Sequence, residues 1–362
     1  MGIRAGLFRL HRKVIDPSRA GPLLLLMRLA LRAASLPYGA TVRLRSTLYE
    51  RGWRRSVKAA VPVLSVGNIS AGGTGKTPLV AWLARLMVIH NMRPAILSRG
   101  YGRHRELGVD DENLMLSRLA EGVPVVVDPV RVRGAERAAR EHDADVLILD
   151  DGFQHRRIQR DLDIVLIDAL WPFGAEHLLP RGLLREPLSG LSRADVLLIT
   201  RSSLVAPERL DEVKDRLREL APRAVLASCR NVPSGLRTVG GPGEAGGSVS
   251  RLSQGRWGAF CGIGNPEAFR ATLEGTGCRL AFFRLYSDHE RYTQDQVRSI
   301  QERARRAGCG AIVTTEKDAV KIERLLPADA DVPLYALQVE MKFTAGSAEL
   351  TRAILRAIGK TP

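Results

Sequence analysis

A glycine-dense turn between a valine-rich run and an amphipathic segment constrains this chain more than any other feature. The stretch reads Val61-Pro-Val-Leu-Ser-Val-Gly-Asn-Ile-Ser-Ala-Gly-Gly-Thr-Gly-Lys-Thr-Pro78. A strand, a loop rich in free backbone N–H groups and a helix N-terminus, in that order, make a cradle for phosphate. Gly72, Gly73, Thr74 and Gly75 would form the cradle, Lys76 would reach the outer phosphates and the Thr77 hydroxyl would ligate Mg2+. The usual spacing puts glycine where Ser70 stands, and a bare Gly-Lys-Thr also occurs in turns that merely cap a helix. Context favours the phosphate loop. Pro78 suits a first helical turn, and Leu79, Val80, Leu83, Leu86 and Met87 recur at helical spacing.

After that helix, short apolar runs at 94–97, 123–127, 146–149, 164–167 and 196–200 alternate with helical patterns such as 131–142 and 207–220. Fully apolar strands separated by helices indicate a parallel sheet covered on both faces. Around 233–250 the composition turns to Gly, Pro and Ser, which reads as a surface loop near a domain junction. A second α/β unit follows, with strands at 258–261, 280–285, 311–314 and 334–339 and helices near 266–273, 294–306 and 348–358. The expected fold is α/β: a P-loop NTPase-type domain at 51–228 and a second, smaller α/β domain at 229–362. Residues 1–50 form a separate basic, amphipathic segment.

That N-terminal segment carries Arg4, Arg9, Arg12, Lys13 and Arg19 ahead of Gly21-Pro-Leu-Leu-Leu-Leu-Met27. Arg28 and Arg32 interrupt the apolar pattern four residues apart and so share a helical face. The uninterrupted apolar run is too short to span a bilayer, and Arg28 would sit inside the core of a signal peptide. A basic amphipathic helix in the membrane interface fits better, with packing against the domain as the competing reading. The whole chain has 55 Lys and Arg against 39 Asp and Glu, a formal charge of +16. Such a balance suits an anionic partner, although an Arg-rich composition alone would produce it. Cys229, Cys261, Cys278 and Cys309 are scattered without a C-x-x-C pair, as expected of reduced thiols.

The run Val146-Leu-Ile-Leu-Asp-Asp-Gly-Phe-Gln-His155 ends an apolar strand in two carboxylates. Asp-Gly is a common turn, but downstream of a phosphate loop Asp150 and Asp151 become candidates for holding Mg2+. Phosphoryl transfer to a hydroxyl also needs a base. Three polar clusters offer one: Asp110-Asp111-Glu112, Asp288-His289-Glu290 and Glu316-Lys317-Asp318. Spacing alone does not choose among them.

Seven blocks in order carry a resemblance. They are Gly67-Asn68 leading into Gly72-Gly-Thr-Gly-Lys-Thr-Pro78, Leu97-Ser-Arg-Gly-Tyr-Gly102, Asp150-Asp-Gly-Phe-Gln-His155, Leu179-Pro-Arg-Gly-Leu-Leu-Arg-Glu186, Phe260-Cys-Gly-Ile-Gly-Asn-Pro266, Asp288-His289 and Thr315-Glu-Lys-Asp-Ala-Val-Lys321. Together they resemble the tetraacyldisaccharide 4'-kinase family, the lipid A 4'-kinases. The likeness runs from about Leu23 to beyond Lys321, and the family's loop also lacks the leading glycine. It implies a membrane-associated kinase that moves the γ-phosphate of ATP, with Mg2+, to the 4'-hydroxyl of a tetraacylated disaccharide 1-phosphate. By likeness, Lys76 and Thr77 bind ATP–Mg, Asp150, Asp151 and Glu186 belong to the metal and phosphate environment, and Arg131 contacts phosphate. The family's base, an aspartate assisted by a histidine, corresponds to Asp111 and His289. Here Asp110-Asp111-Glu112-Asn113 departs from the family's Gly-Asp-Glu-Pro at both flanks.

The resemblance further implies a monomer on the cytoplasmic face of the inner membrane, with a lipid substrate and no nucleic-acid partner. A regulatory P-loop NTPase binding a protein partner is the alternative, and a basic nucleic-acid binder is a third reading favoured by charge alone.

Overall fold

The computed structural model describes residues 11, 13–16, 19–100, 111–240, 246–288, 290–327 and 330–360, the side chains of Asp111 and Glu112 apart. The chain divides into two units. One comprises Arg9–Arg230 with Met341–Pro362, and the other contains Asn231–Glu340.

The first unit begins with α1 (Pro22–Glu50) and continues through β1 (Val63–Asn68), α2 (Lys76–Ile89), β2 (Pro94–Ser98), α3 (Asp111–Leu119), β3 (Val125–Val127) and α4 (Arg131–Glu141). Then come β4 (Val146–Asp150), β5 (Leu162–Asp168), β6 (Val196–Thr200), α5 (Pro207–Leu220) and the start of β7 (Val225–Thr238). The strands lie in the order β3-β2-β4-β1-β5-β6-β7 and pair in parallel. Apolar side chains alternate between the faces of this sheet. Ile164 and Leu166 of β5 belong to the same buried cluster as Leu79, Leu83 and Met87 of α2, whereas Val165 and Ile167 belong to the cluster of Val213 and Leu217 of α5. A strand buried on both faces has no polar side to give it period-two patterning, which is why these runs read as continuously apolar. Truncating any one of these buried leucines to alanine would cost about 2–5 kcal/mol.

Gly67 in β1 shows how tightly the next layer packs. A Cβ there would lie 2.5 Å from Phe153 Cβ and 2.6 Å from the Phe153 backbone nitrogen. Because one of those neighbours is backbone, no rotamer change relieves the contact.

The second unit holds β8 (Arg256–Cys261), α6 (Pro266–Glu274), β9 (Arg279–Leu285), α7 (Gln294–Arg306), β10 (Ala311–Thr315), α8 (Glu316–Ile322) and most of β11 (Leu334–Ala345). Strand order is β11-β10-β8-β9, again parallel. Thr293 and Gln296 form a reciprocal capping box at the start of α7.

The segment expected as a loop from residue 233 is in part strand. The 14 residues of β7 carry Pro233 and Gly235 inside them. Its burial is mostly intermediate, so its composition is polar and turn-like although the backbone is extended. The chain passes between the two units within β7 and β11, and the last helix, α9 (Ser347–Ala357), belongs to the first unit. Leu350 and Ile354 of α9 join the core beneath α2, which differs from the grouping of 229–362 expected from composition.

Helix α1 is 29 residues long, longer than the apolar run that suggested it, and contains Pro37. By length and composition it is long enough to cross a membrane, so the argument from run length against a crossing does not hold. Little of it is buried in the protein: Leu25, Leu26 and Leu29 are 57%, 63% and 54% exposed. Arg28, expected on a shared cationic face with Arg32, instead donates to the carbonyls of Val14, Asp16 and Arg19 at 2.6–2.8 Å. It ties down the chain that precedes the helix.

Candidate active site

The loop after β1 is shaped by backbone pairing at its start and by glycine at its end. Ala71 N–H donates to Leu183 O at 2.7 Å, Arg185 N–H donates to Ile69 O at 2.8 Å, and Ser70 bridges Leu184. Ser70 is therefore extended, a conformation that needs no glycine. Gly72 and Gly75 do need it, with φ of 126° and 91°. Gly75 is the N-cap of α2, so Lys76 and Thr77 open the helix whose unsatisfied N–H groups face the loop.

Strand register brings the acids to this point. Val66 of β1 pairs with Asp150 at the end of β4. Asp151 then takes a left-handed φ of 54°, and its Oδ1 lies 3.3 Å from Lys76 Nζ. Lys76 Nζ also donates to Asn68 Oδ1 at 3.3 Å. Arg185 Nη1 holds both oxygens of Asp151 at 2.8 and 2.9 Å. Gln154 Nε2 donates to Asn68 O and to Glu186 Oε1, both at 2.9 Å, and Arg193 Nη2 donates to Glu186 Oε2 at 2.6 Å. These contacts make one connected polar network, charged at both ends and bridged by the Asn68 and Gln154 amides, from the phosphate-loop lysine to Arg193.

Burial pushes the Asp151 carboxyl up, but the Lys76 and Arg185 charges and hydrogen bonds outweigh it and hold the group below the usual carboxylate range. It is ionised at neutral pH, ready to orient cations. His155, at the end of the same block, is lowered to about 4, chiefly by burial and then by Arg131, Arg45, Arg99 and Arg160. Its Nε2 is buried with no hydrogen-bond partner among the described residues.

A histidine with a depressed folded pKa stabilises the fold above its unfolded value near 6.5. As pH falls below that value, the unfolded chain takes up the proton first, and the loss is complete near pH 4. After allowance for partial exposure, the wild type should lose about 1–2 kcal/mol more than a His155→Gln variant between those limits. Urea midpoints at several pH values measure the difference, and parallel curves would refute it.

Arg131 is 3% exposed. Its guanidinium donates to the carbonyls of Asp128 at 3.0 Å and Asp150 at 3.1 Å, bracing the strand end that presents Asp150. Asp111 opens α3. Asp110 and His289 lie outside the described residues. In the second unit, Asp288 accepts from Lys317 Nζ at 3.1 Å and Glu316 pairs with Arg237 at 2.9 Å. Asp318, fully buried, accepts the Gly262 N–H at 2.8 Å.

The site thus gathers Lys76, Thr77, Asp150, Asp151 and Glu186 around one strand–loop–helix junction. Sequence reasoning gave no role to Arg185, Gln154, Arg193 or Asn68, which link them. Arg185 and Gln154 sat inside recognisable blocks, but no spacing rule says that a residue near 185 meets one near 151.

No group of three or more His, Cys, Asp or Glu side chains converges as a ready metal cluster among the described residues. What the junction offers instead is hard oxygen, the Thr77 hydroxyl and the Asp150 carboxylate, of the kind Mg2+ takes alongside substrate phosphates. All four cysteines are buried and unbridged. Burial raises their thiols, which makes them poor nucleophiles.

A parallel α/β sheet with a lysine-bearing phosphate loop, and a strand-end acid ion-paired to that lysine, defines a P-loop nucleotide-binding protein. A family model described as tetraacyldisaccharide-1-P 4'-kinase matches residues 27–359. The chain belongs to this family and is a kinase of lipid A biosynthesis. It is 38% identical over 361 residues to the tetraacyldisaccharide 4'-kinase of Anaeromyxobacter sp. (strain K), covering 95% of this chain and 94% of that one. The namesake from Halothermothrix orenii is 35% identical, covering 96% and 97%. The crystal structure of an Aquifex aeolicus LpxK in complex with ATP superposes with a TM-score of 0.70 at 28% identity, covering 92% of this chain and 99% of that one.

Proposed function

We propose that this chain transfers the γ-phosphate of ATP to the 4'-hydroxyl of a tetraacylated disaccharide 1-phosphate presented by a membrane surface. The observation that carries the reading is the Lys76–Asp151 pair at the mouth of the phosphate loop. A lysine already oriented toward the loop by a fixed carboxylate needs little reorganisation to meet incoming phosphate. The loop from Gly72 to Gly75 would hold the β- and γ-phosphates. Thr77 and Asp150 would hold Mg2+, which supplies charge neutralisation on the transferring group. Asp151 and Glu186 keep Lys76, Arg185 and Arg193 in register around it, and Arg131 acts by fixing the end of β4.

For the acceptor we assign Asp111 as the base that takes the hydroxyl proton, with His289 assisting it. These roles rest on family likeness together with the chemical need for a base that is not already paired to the phosphate-loop lysine. The exposed apolar side chains of α1 and the net charge of +16 favour docking on an anionic bilayer; the monomeric state and the cytoplasmic face of the inner membrane are assigned by family likeness.

Purified full-length protein, given the disaccharide 1-phosphate in detergent micelles with ATP and Mg2+, should form the bisphosphorylated lipid. Absence of product would count against the acceptor. Asp111→Ala and His289→Ala should each lose turnover while ATP binding persists. Full turnover in Asp111→Ala would move the base to Asp110.

A further inference from the structure

Phosphate loops present N–H groups to the ligand, so their carbonyls must point away and find partners elsewhere. Asn68 of β1 serves the Ser70 carbonyl at 2.6 Å, and the carbonyls of Gly73 and Thr74 find their partners at the end of β6. Thr200 Oγ1 donates to Thr74 O at 2.9 Å. Arg201 Nη2 donates to Gly73 O at 2.6 Å, while its Nη1 is ion-paired with Asp168 at the end of β5. Strand register makes this possible, because Asp168 and Thr200 are paired across β5 and β6. The Arg201 side chain is 12% exposed and that of Asp168 is 10% exposed, so the pair is shielded from water.

The backbone at Arg201 adds an independent observation. Its φ of 58° and ψ of 30° are left-handed, a conformation that costs a residue other than glycine about 1–2 kcal/mol. Glycine would make the same turn without strain, but it would carry no guanidinium.

We propose that Arg201 is a positioning residue for the nucleotide, acting as a clamp on the phosphate loop with Thr200 and Asp168. Its cation holds the Gly73 carbonyl outward and polarises that peptide, which strengthens the N–H of Thr74 as a donor to phosphate. Asp168 keeps the guanidinium on the carbonyl and away from the anionic ligand. Thr200 fixes the next carbonyl, so two successive peptides are locked in the phosphate-binding orientation before ATP arrives. The clamp rests on the assignment of the Gly72–Gly75 loop to ATP.

The test uses the full-length enzyme with Arg201→Gly, Arg201→Lys and Lys76→Met measured side by side. Arg201→Gly should raise the KM for ATP about tenfold, with kcat lowered less than about threefold and the KM for the lipid unchanged. Its melting temperature should fall, because the shielded Asp168 loses its partner. The ATP KM is therefore also read in Arg201→Gly/Asp168→Asn, which strands no buried charge and should melt close to wild type because glycine accepts the left-handed backbone. Arg201→Lys, which keeps a cation but not the fork, should recover part of the ATP affinity. A purely structural role would instead move kcat, both KM values and the melting temperature of the double variant together, and that pattern overturns the clamp. So does an ATP KM within about twofold of wild type in Arg201→Gly, provided that Lys76→Met loses turnover. If Lys76→Met turns over normally, the loop assignment fails and the clamp fails with it.

Discussion

Lys76→Met should lower turnover by about 1,000-fold, the scale of losing one preorganised charge at a transferring phosphoryl group. The fold should survive the change. Asp151 would keep its two contacts with Arg185 at 2.8 and 2.9 Å, so no buried carboxylate is stranded. Methionine also matches the stem of the lysine that packs at the start of α2. Single-turnover phosphorylation of the lipid, with circular dichroism as a check on folding, measures both halves of this expectation. Turnover within about tenfold of wild type would mean that Lys76 does not meet the γ-phosphate.

The second large effect is expected in α1. Leu25, Leu26 and Leu29 cluster within about one turn of α1 and are more than half exposed. Each such side chain gains about 1.5–3 kcal/mol when it leaves water completely. Replacing all three with glutamate removes that gain and adds repulsion from anionic lipids. Affinity for vesicles containing an anionic phospholipid should fall by at least about 100-fold in sedimentation. The KM for ATP should not change, since none of the three touches the phosphate loop. Unchanged sedimentation would show that α1 is not the membrane-binding element.

Much of the first unit was legible because its strands are buried on both faces. The runs near 94–97, 146–149 and 196–200 needed no tertiary information, and the strands found there differ only by a residue or so at their ends. β7 was not legible. Its Pro233, Ser234 and Gly235 speak of a turn, yet the backbone there is extended. The return of α9 to the first unit was hidden for a related reason: an amphipathic helix shows that it has a partner, not which one.

The candidate site divides in the same way. Lys76, Thr77 and Asp150 sit where local patterns end, at a loop and a strand terminus. Arg185 and Arg201 reach the loop only through strand order and backbone pairing, which spacing in the chain does not encode. Ser70 lies between these cases. It departs from the familiar loop pattern, and its bridge to Leu184 supplies the reason.

The segment from 178 to 186 has a neighbour on each side. Helix α1 grips it through Ser35, whose hydroxyl donates to Leu178 O at 3.1 Å, through Tyr38, whose hydroxyl donates to Arg185 O at 2.8 Å, and through the close approach of Gly39 to Leu178. The phosphate loop holds the same segment through Ile69 and Ala71. One short stretch of backbone therefore acts as a gauge block between the anchor and the catalytic loop. On the proposed reading that α1 lies in a bilayer interface, the loop would stand at a set height above the lipid plane, matched to head groups that cannot travel far from it. A flexible tether of the same length would hold the enzyme at the membrane but leave that height undefined.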